Sequence, residues 1–121
     1  MVKLVYCIRR RPEVPRDAFL KHWREVHAPK VEGFAEALRA RRYVQSHTLD
    51  TVLNDALRDS RGARPAYDGI TEVWWDSEAD LAAAMQTEEG AEAGRALLED
   101  EGHFIDLESS ALFLTEEHGI F

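Results

Sequence analysis

His27 is the side chain in this sequence best suited to moving a proton, because an imidazole serves as general acid or base near neutral pH without a large shift. It follows Phe19, Trp23 and Val26, whose spacing predicts an amphipathic helix. At about 100° per residue, His27 falls at the edge of that apolar stripe, where it can face a cavity between helix and sheet. Pro29 cannot donate to a helical ladder, so a kink or break is expected near His27-Ala28-Pro29. The alternative role for the ring is to bond a helix end left open by that break.

Other side chains are candidates to act with it. Asp68 stands before Gly69 at the mouth of an expected strand, where a carboxylate can orient His27 or bind substrate; Asp-Gly is also ordinary turn chemistry. His47 shares a strand face with Tyr43 and is placed to orient or polarise. Glu72 has the parity of Ile70 and Trp74, which puts a carboxylate on an apolar face, or at a solvated rim paired with Arg41 or Arg42. Tyr6, Trp23, Tyr43, Trp74 and Phe113 can wall a cavity for flat organic molecules, or simply pack as core. The expected catalytic set is therefore His27, Asp68 and His47. The expected substrate-binding set is Tyr6, Trp23, Tyr43, Glu72, Trp74 and Phe113.

Competing chemistries lack their residues. His22 and His27 are five apart, whereas helical metal ligands favour three or four, so no metal site is expected. No Gly-rich phosphate loop, Gly-x-Ser-x-Gly elbow or Cys-x-x-Cys is present, and Cys7 reads as an inert mid-strand thiol. The expected reaction needs no cofactor.

Positioning these groups requires a scaffold. Alternation from Val2 to Arg9 predicts a strand, and the Pro12 to Pro15 stretch ends it before the helix that carries Phe19 and Trp23. Arg41 to Thr48 alternates again, and Thr51 to Ser60 has weak helical spacing in what resembles an inserted connection. Tyr67 to Trp75 is a third strand. Glu78 to Met85 is a short helix capped by Ser77, Thr87 to Asp100 a second one, and Ala111 to Thr115 the last strand. The order βαββαβ is the ferredoxin-like α+β plan, a four-stranded antiparallel sheet with helices on one face.

With 121 residues the chain is one domain, residues 1 to 121, and its 45% hydrophobic and 31% charged content is that of an ordinary globular protein. Twenty-three acidic against 15 basic residues give a net charge of −8, which disfavours nucleic acid as partner. One cysteine and no segment long enough for a leader or a membrane span point to the cytoplasm and away from membranes. Apolar residues occur at both parities of the strands: Leu4, Tyr6, Ile8, Ile70 and Trp74 on one, Val5, Val73 and Trp75 on the other. One helical layer covers only one face, so a homodimer packed sheet against sheet is expected.

The sequence resembles the EthD family of dimeric α/β-barrel proteins. The likeness rests on Phe-x-x-x-Trp-x-x-x-His-x-Pro at Phe19, Trp23, His27 and Pro29, on the strand from Tyr67 to Trp75, on Asp100-Glu101 with Phe104-Ile105-Asp106, and on Leu114 to His118. The stretch from about Thr51 to Pro65 is longer than a minimal linker, so no lid over a pocket carries over there. The family is named for a protein tied to ethyl tert-butyl ether degradation. Similar barrels act as cyclases, dehydratases, decarboxylases, isomerases and cofactor-free oxygenases, and some bind haem. The resemblance thus implies a small-molecule enzyme doing proton-transfer chemistry on an apolar or aromatic carbonyl compound. The alternatives are a non-catalytic metabolite-binding or accessory protein of a degradation pathway, and a haem- or oxygen-dependent oxidoreductase.

Overall fold

Alternation along Val2–Ile8 produces the central strand, β1, of the structure, a computed structural model that describes residues 1–121. Strand β1 pairs antiparallel with β3 (Gly69–Trp75) on one side and β4 (Ala111–Thr115) on the other; β2 (Arg42–His47) closes the order β2-β3-β1-β4. This is the ferredoxin-like plan expected from the sequence.

The register determines which side chains face the helices. Tyr6 pairs with Thr71, Leu4 with Val73, and Val73 with Tyr43. Even positions of β1 therefore share a face with odd positions of β2 and β3. This corrects the grouping of Ile70 and Trp74 with Leu4, Tyr6 and Ile8: Ile70, Glu72 and Trp74 lie on the opposite face, together with Val5 and Phe113.

Helix α1 (Arg16–His22) begins directly after Pro15 and passes into a π-helical turn, Trp23–His27, before α2 (Ala28–Gly33) and the short α3 (Ala35–Leu38). Pro29 explains the change of pitch. It has no N–H for the carbonyl four residues back, and the ladder shifts so that Ala28 N–H bonds the Trp23 carbonyl in an i to i+5 step. The expected break is thus a widened turn with the axis continuing through it.

The inserted connection is a ten-residue helix, α4 (Val52–Arg61), capped by Thr51 and ended by Gly62 in the left-handed conformation at φ 61°. Its Val52, Leu53 and Leu57 stay exposed. Ser77 Oγ accepts from Asp80 N–H at 3.1 Å to start α5 (Glu78–Gln86), and Thr87 Oγ1 accepts from Gly90 N–H at 2.9 Å to start α6 (Glu88–Phe104). The α5–α6 corner needs glycine at position 90, where a Cβ would lie 1.8 Å from the Ala84 carbonyl oxygen. Helix α6 runs four residues beyond the expected end at Asp100. Burial of Phe104 and Ile105 against Tyr6, Ile8, Phe19 and Trp23 outweighs the poor helix propensity of Gly102.

Candidate active site

Helix α6 brings Asp100 against the π turn. Asp100 Oδ2 lies 2.7 Å from His27 Nδ1, and Oδ1 lies 2.9 Å from His22 Nε2. Asp100 and His27 are both buried. Burial pushes the Asp100 carboxyl up, but the hydrogen bonds from His27 and His22 outweigh it and hold the group below the usual carboxylate range. As an ion it only accepts, so His27 donates through Nδ1–H and His22 through Nε2–H. The tautomer follows: neutral His27 keeps its lone pair on Nε2, which bonds no other residue. Burial lowers the His27 pKa against the opposing pull of Asp100, so the ring is neutral at pH 7.

His27 stands in the wall of a cavity of about 340 Å³ between helices and sheet, lined by 18 residues of which 14 are hydrophobic. That volume suits a small organic molecule. Tyr6, Trp23 and Tyr43 line it as expected, and so does Glu101. The Tyr6 hydroxyl donates to Glu101 Oε1 at 2.9 Å. Burial raises the Glu101 pKa despite that bond, and burial with the nearby Glu101 charge pushes the Tyr6 phenol far up. The cavity thus holds an imidazole with a free lone pair and a phenol-carboxyl pair in otherwise apolar surroundings.

A polar chain ties the π turn to β2. Gln45 Nε2 donates to the Trp23 carbonyl and to the Tyr43 hydroxyl, both at 2.8 Å, while His47 Nε2 donates to Gln45 Oε1 at 2.9 Å. The His47 ring stacks on Trp23, with centroids 4.6 Å apart.

Several expected site residues fall elsewhere. Asp68 does not orient His27: its Oδ2 accepts from Arg10 N–H at 2.9 Å and its Oδ1 lies 3.5 Å from the Arg10 guanidinium, at the far end of β1. His47 is not among the residues lining the cavity; it stacks on Trp23 in a recess with Arg24 and Gln45. Glu72, Trp74 and Phe113 are on the outer face of the sheet, opposite the face that carries Tyr6 and Tyr43. Lys3 pairs with Glu72 at 2.7 Å, in place of the expected Arg41 or Arg42. Asp100 and Glu101 carry only the family resemblance in the sequence, and the structure sets one against His27 and the other against Tyr6. Their signal was the adjacency of two acids just before Phe104-Ile105, which anchor the helix.

The fold and this cavity define a ferredoxin-like α+β protein with an internal small-molecule-sized site. The EthD domain profile matches residues 11–108, and the chain belongs to the EthD family. Among solved structures it is similar to an EthD-family protein from Bacillus halodurans, with 23% identity, a TM-score of 0.64, and 98% of this chain and 99% of that one covered. It is similar also to a dimeric ferredoxin-like protein of unknown function from Thermobifida fusca, at 13% identity and TM-score 0.61, covering 96% and 90%. A third is SnoaB from Streptomyces nogalater, a cofactor-independent oxygenase, at 12% identity and TM-score 0.57, covering 98% and 93%. No curated protein matches the chain. No helix is long and apolar enough to cross a membrane.

Proposed function

We propose that this protein is a cofactor-free enzyme that moves a proton on an apolar or aromatic carbonyl compound held in the cavity. The observation that carries the reading is His27, buried, fixed at Nδ1 by ionised Asp100, and free at Nε2 on an apolar wall. Nε2 takes the proton from the carbon beside the carbonyl. The C–H pair moves into the new C=C bond as the carbonyl π pair passes to oxygen, giving an enolate and an imidazolium stabilised by Asp100. The Tyr6 hydroxyl, turning from Glu101 to the ligand, donates a hydrogen bond to that oxygen. Return of the proton to another carbon, or attack by the enolate carbon on a second carbonyl, completes an isomerisation or a ring closure with no oxidant. Asp100 takes the orienting part first expected of Asp68. The working unit is a homodimer in the cytoplasm, consistent with the apolar outer sheet face and the single cysteine.

Solvent-deuterium exchange into a panel of aryl ketones and 1,3-diketones, followed by NMR, tests this. Wild-type protein should accelerate exchange for at least one compound, and His27→Gln should abolish the acceleration while remaining folded. Compounds that bind but exchange no faster than with His27→Gln would overturn catalysis in favour of a metabolite-binding or accessory role.

A further inference from the structure

The hydrogen-bonding groups of the cavity gather at one end of it. Strand register sets Tyr6 beside Thr71, Leu4 beside Val73, and Val2 beside Trp75, all on the face towards the helices. The sheet wall therefore passes from a polar row to apolar ones over about 13 Å. Gln45 pairs with Thr71, and its amide donates to the Tyr43 hydroxyl at 2.8 Å, which turns that hydroxyl back towards the polar row. Helix α6 repeats the gradient. Its Glu101 accepts from Tyr6, and the Phe104 carbonyl accepts from Arg11 N–H beyond the end of β1, so helix and strand run in the same direction. Leu97 and Gly94, which also line the cavity, then fall on the apolar side, Gly94 about 10 Å back along the axis from Glu101. His27 likewise gives way to Val31 and Leu38. Trp75 Nε1–H donates to the Leu38 carbonyl at 2.7 Å, which occupies the one side-chain N–H at the far end.

Resting on the cavity reading above, we propose that the ligand is an uncharged straight-chain carbonyl compound, its carbonyl between Tyr6 and His27 and its alkyl chain lying along Val73 and Leu97 towards Gly94. Neither lysine nor arginine lines the cavity, so nothing there neutralises an anionic head. The faces of Trp23, Tyr6 and Tyr43 belong to the polar end, whereas the far end offers Leu38, Leu81 and Met85, flexible side chains that conform to a flexible chain. Gly94 leaves a gap in that wall: a Cβ there would meet no atom within 4 Å.

The test is titration calorimetry with 2-hexanone, 2-octanone, 2-decanone and 2-acetonaphthone. The 2-alkanones should bind about fourfold tighter for each added methylene, with 2-decanone ahead of 2-acetonaphthone. Gly94→Leu, which fills the gap, should weaken 2-decanone about tenfold or more and 2-hexanone far less. Leu97→Phe, one turn along the same wall, should do likewise. Tyr6→Phe should weaken all three alkanones by the same factor, about fivefold. Equal affinity across the alkanones, or a Gly94→Leu effect that is the same at every length, overturns the chain subsite, and accelerated deuterium exchange would leave the catalytic reading standing without it. Tighter binding of 2-acetonaphthone than of 2-decanone overturns the straight chain in favour of a flat ring system. A Tyr6→Phe effect confined to the long ketones overturns the orientation. Failure of every ketone to bind overturns the cavity reading, and this proposal with it.

Discussion

Asp100 joins His27 and His22 through its two oxygens, at 2.7 Å and 2.9 Å, so one buried carboxylate holds imidazoles from both sides of the turn that Pro29 widens. Asp100→Ala should cost about 2 kcal/mol, because the buried Nδ1–H of His27 loses its partner while half-exposed His22 can turn to water. Urea unfolding followed by tryptophan fluorescence measures this. On a substrate, Asp100→Asn should lower kcat more than it raises KM, since the ring is then free to adopt the wrong tautomer. Equal kcat with altered KM would remove Asp100 from the positioning role.

Acid should destabilise the protein through the same cluster. The folded His27 pKa lies below its ordinary value, so between the two values the unfolded chain binds the extra proton and the folded chain does not. Stability from this group is complete above about pH 6.5 and falls as the pH drops towards the folded value. His47, lowered by burial and by Arg24, adds in the same direction. Asp100 acts lower down: its depressed pKa supplies stability above the ordinary aspartate value that is lost as pH falls through the folded one. Melting temperature should therefore decline from pH 7 to pH 5. His27→Gln with His47→Gln should flatten that decline, and an unchanged slope in the double variant would contradict the assignment.

The strands and the identity of four cavity residues were legible because alternation and helical spacing are local signals. Ala111–Thr115 has the expected bounds, and His27, Trp23, Tyr6 and Tyr43 all reach the cavity. Whether Trp74 or Trp75 faces the helices is a different kind of question. It depends on the pairing of Tyr6 with Thr71, and a shift of one residue would have exchanged the two faces. The roles of Asp100 and Glu101 were hidden for a related reason. Local propensity ends the helix at Asp100, while contacts made by Phe104 with Phe19 and the two histidine rings, far away in sequence, carry it further.

Gly69 is required by Trp23. A Cβ at position 69 would stand 2.4 Å and 2.5 Å from two carbons of the Trp23 indole and 3.0 Å from the Ser46 carbonyl oxygen. The indole cannot retreat freely, because His47 stacks on it and it is wholly buried. Gly69→Ala should destabilise the fold by about 2 kcal/mol through overpacking. It should also shift the His47 ring resonances in an NMR spectrum, whereas Gly94→Ala, which meets no atom within 4 Å, should leave them in place. Wild-type stability in Gly69→Ala would show that this packing is looser than the structure requires.

The outer face of the sheet is divided. Lys3 pairs with Glu72 at 2.7 Å and Glu117 at 3.6 Å, and these groups with Arg42 shield Trp74. Towards the other end Ile70 and Phe113 are open to solvent, with Val5 beside them in the register. No helix of this chain covers that region, and a second copy presenting the same face would bury it on both sides of a two-fold axis. The protein should therefore sediment as a dimer at micromolar concentration, and Phe113→Lys should yield monomers by placing two like charges in the apolar contact. Because Phe113 lies on the sheet face opposite the cavity, those monomers should still take up N-phenyl-1-naphthylamine, a neutral apolar fluorophore that serves as reporter of the cavity, if each subunit forms its site alone. Wild-type protein that sediments as a monomer would end the sheet-to-sheet assignment, and loss of reporter binding in folded Phe113→Lys monomers would mean that pairing shapes the cavity as well.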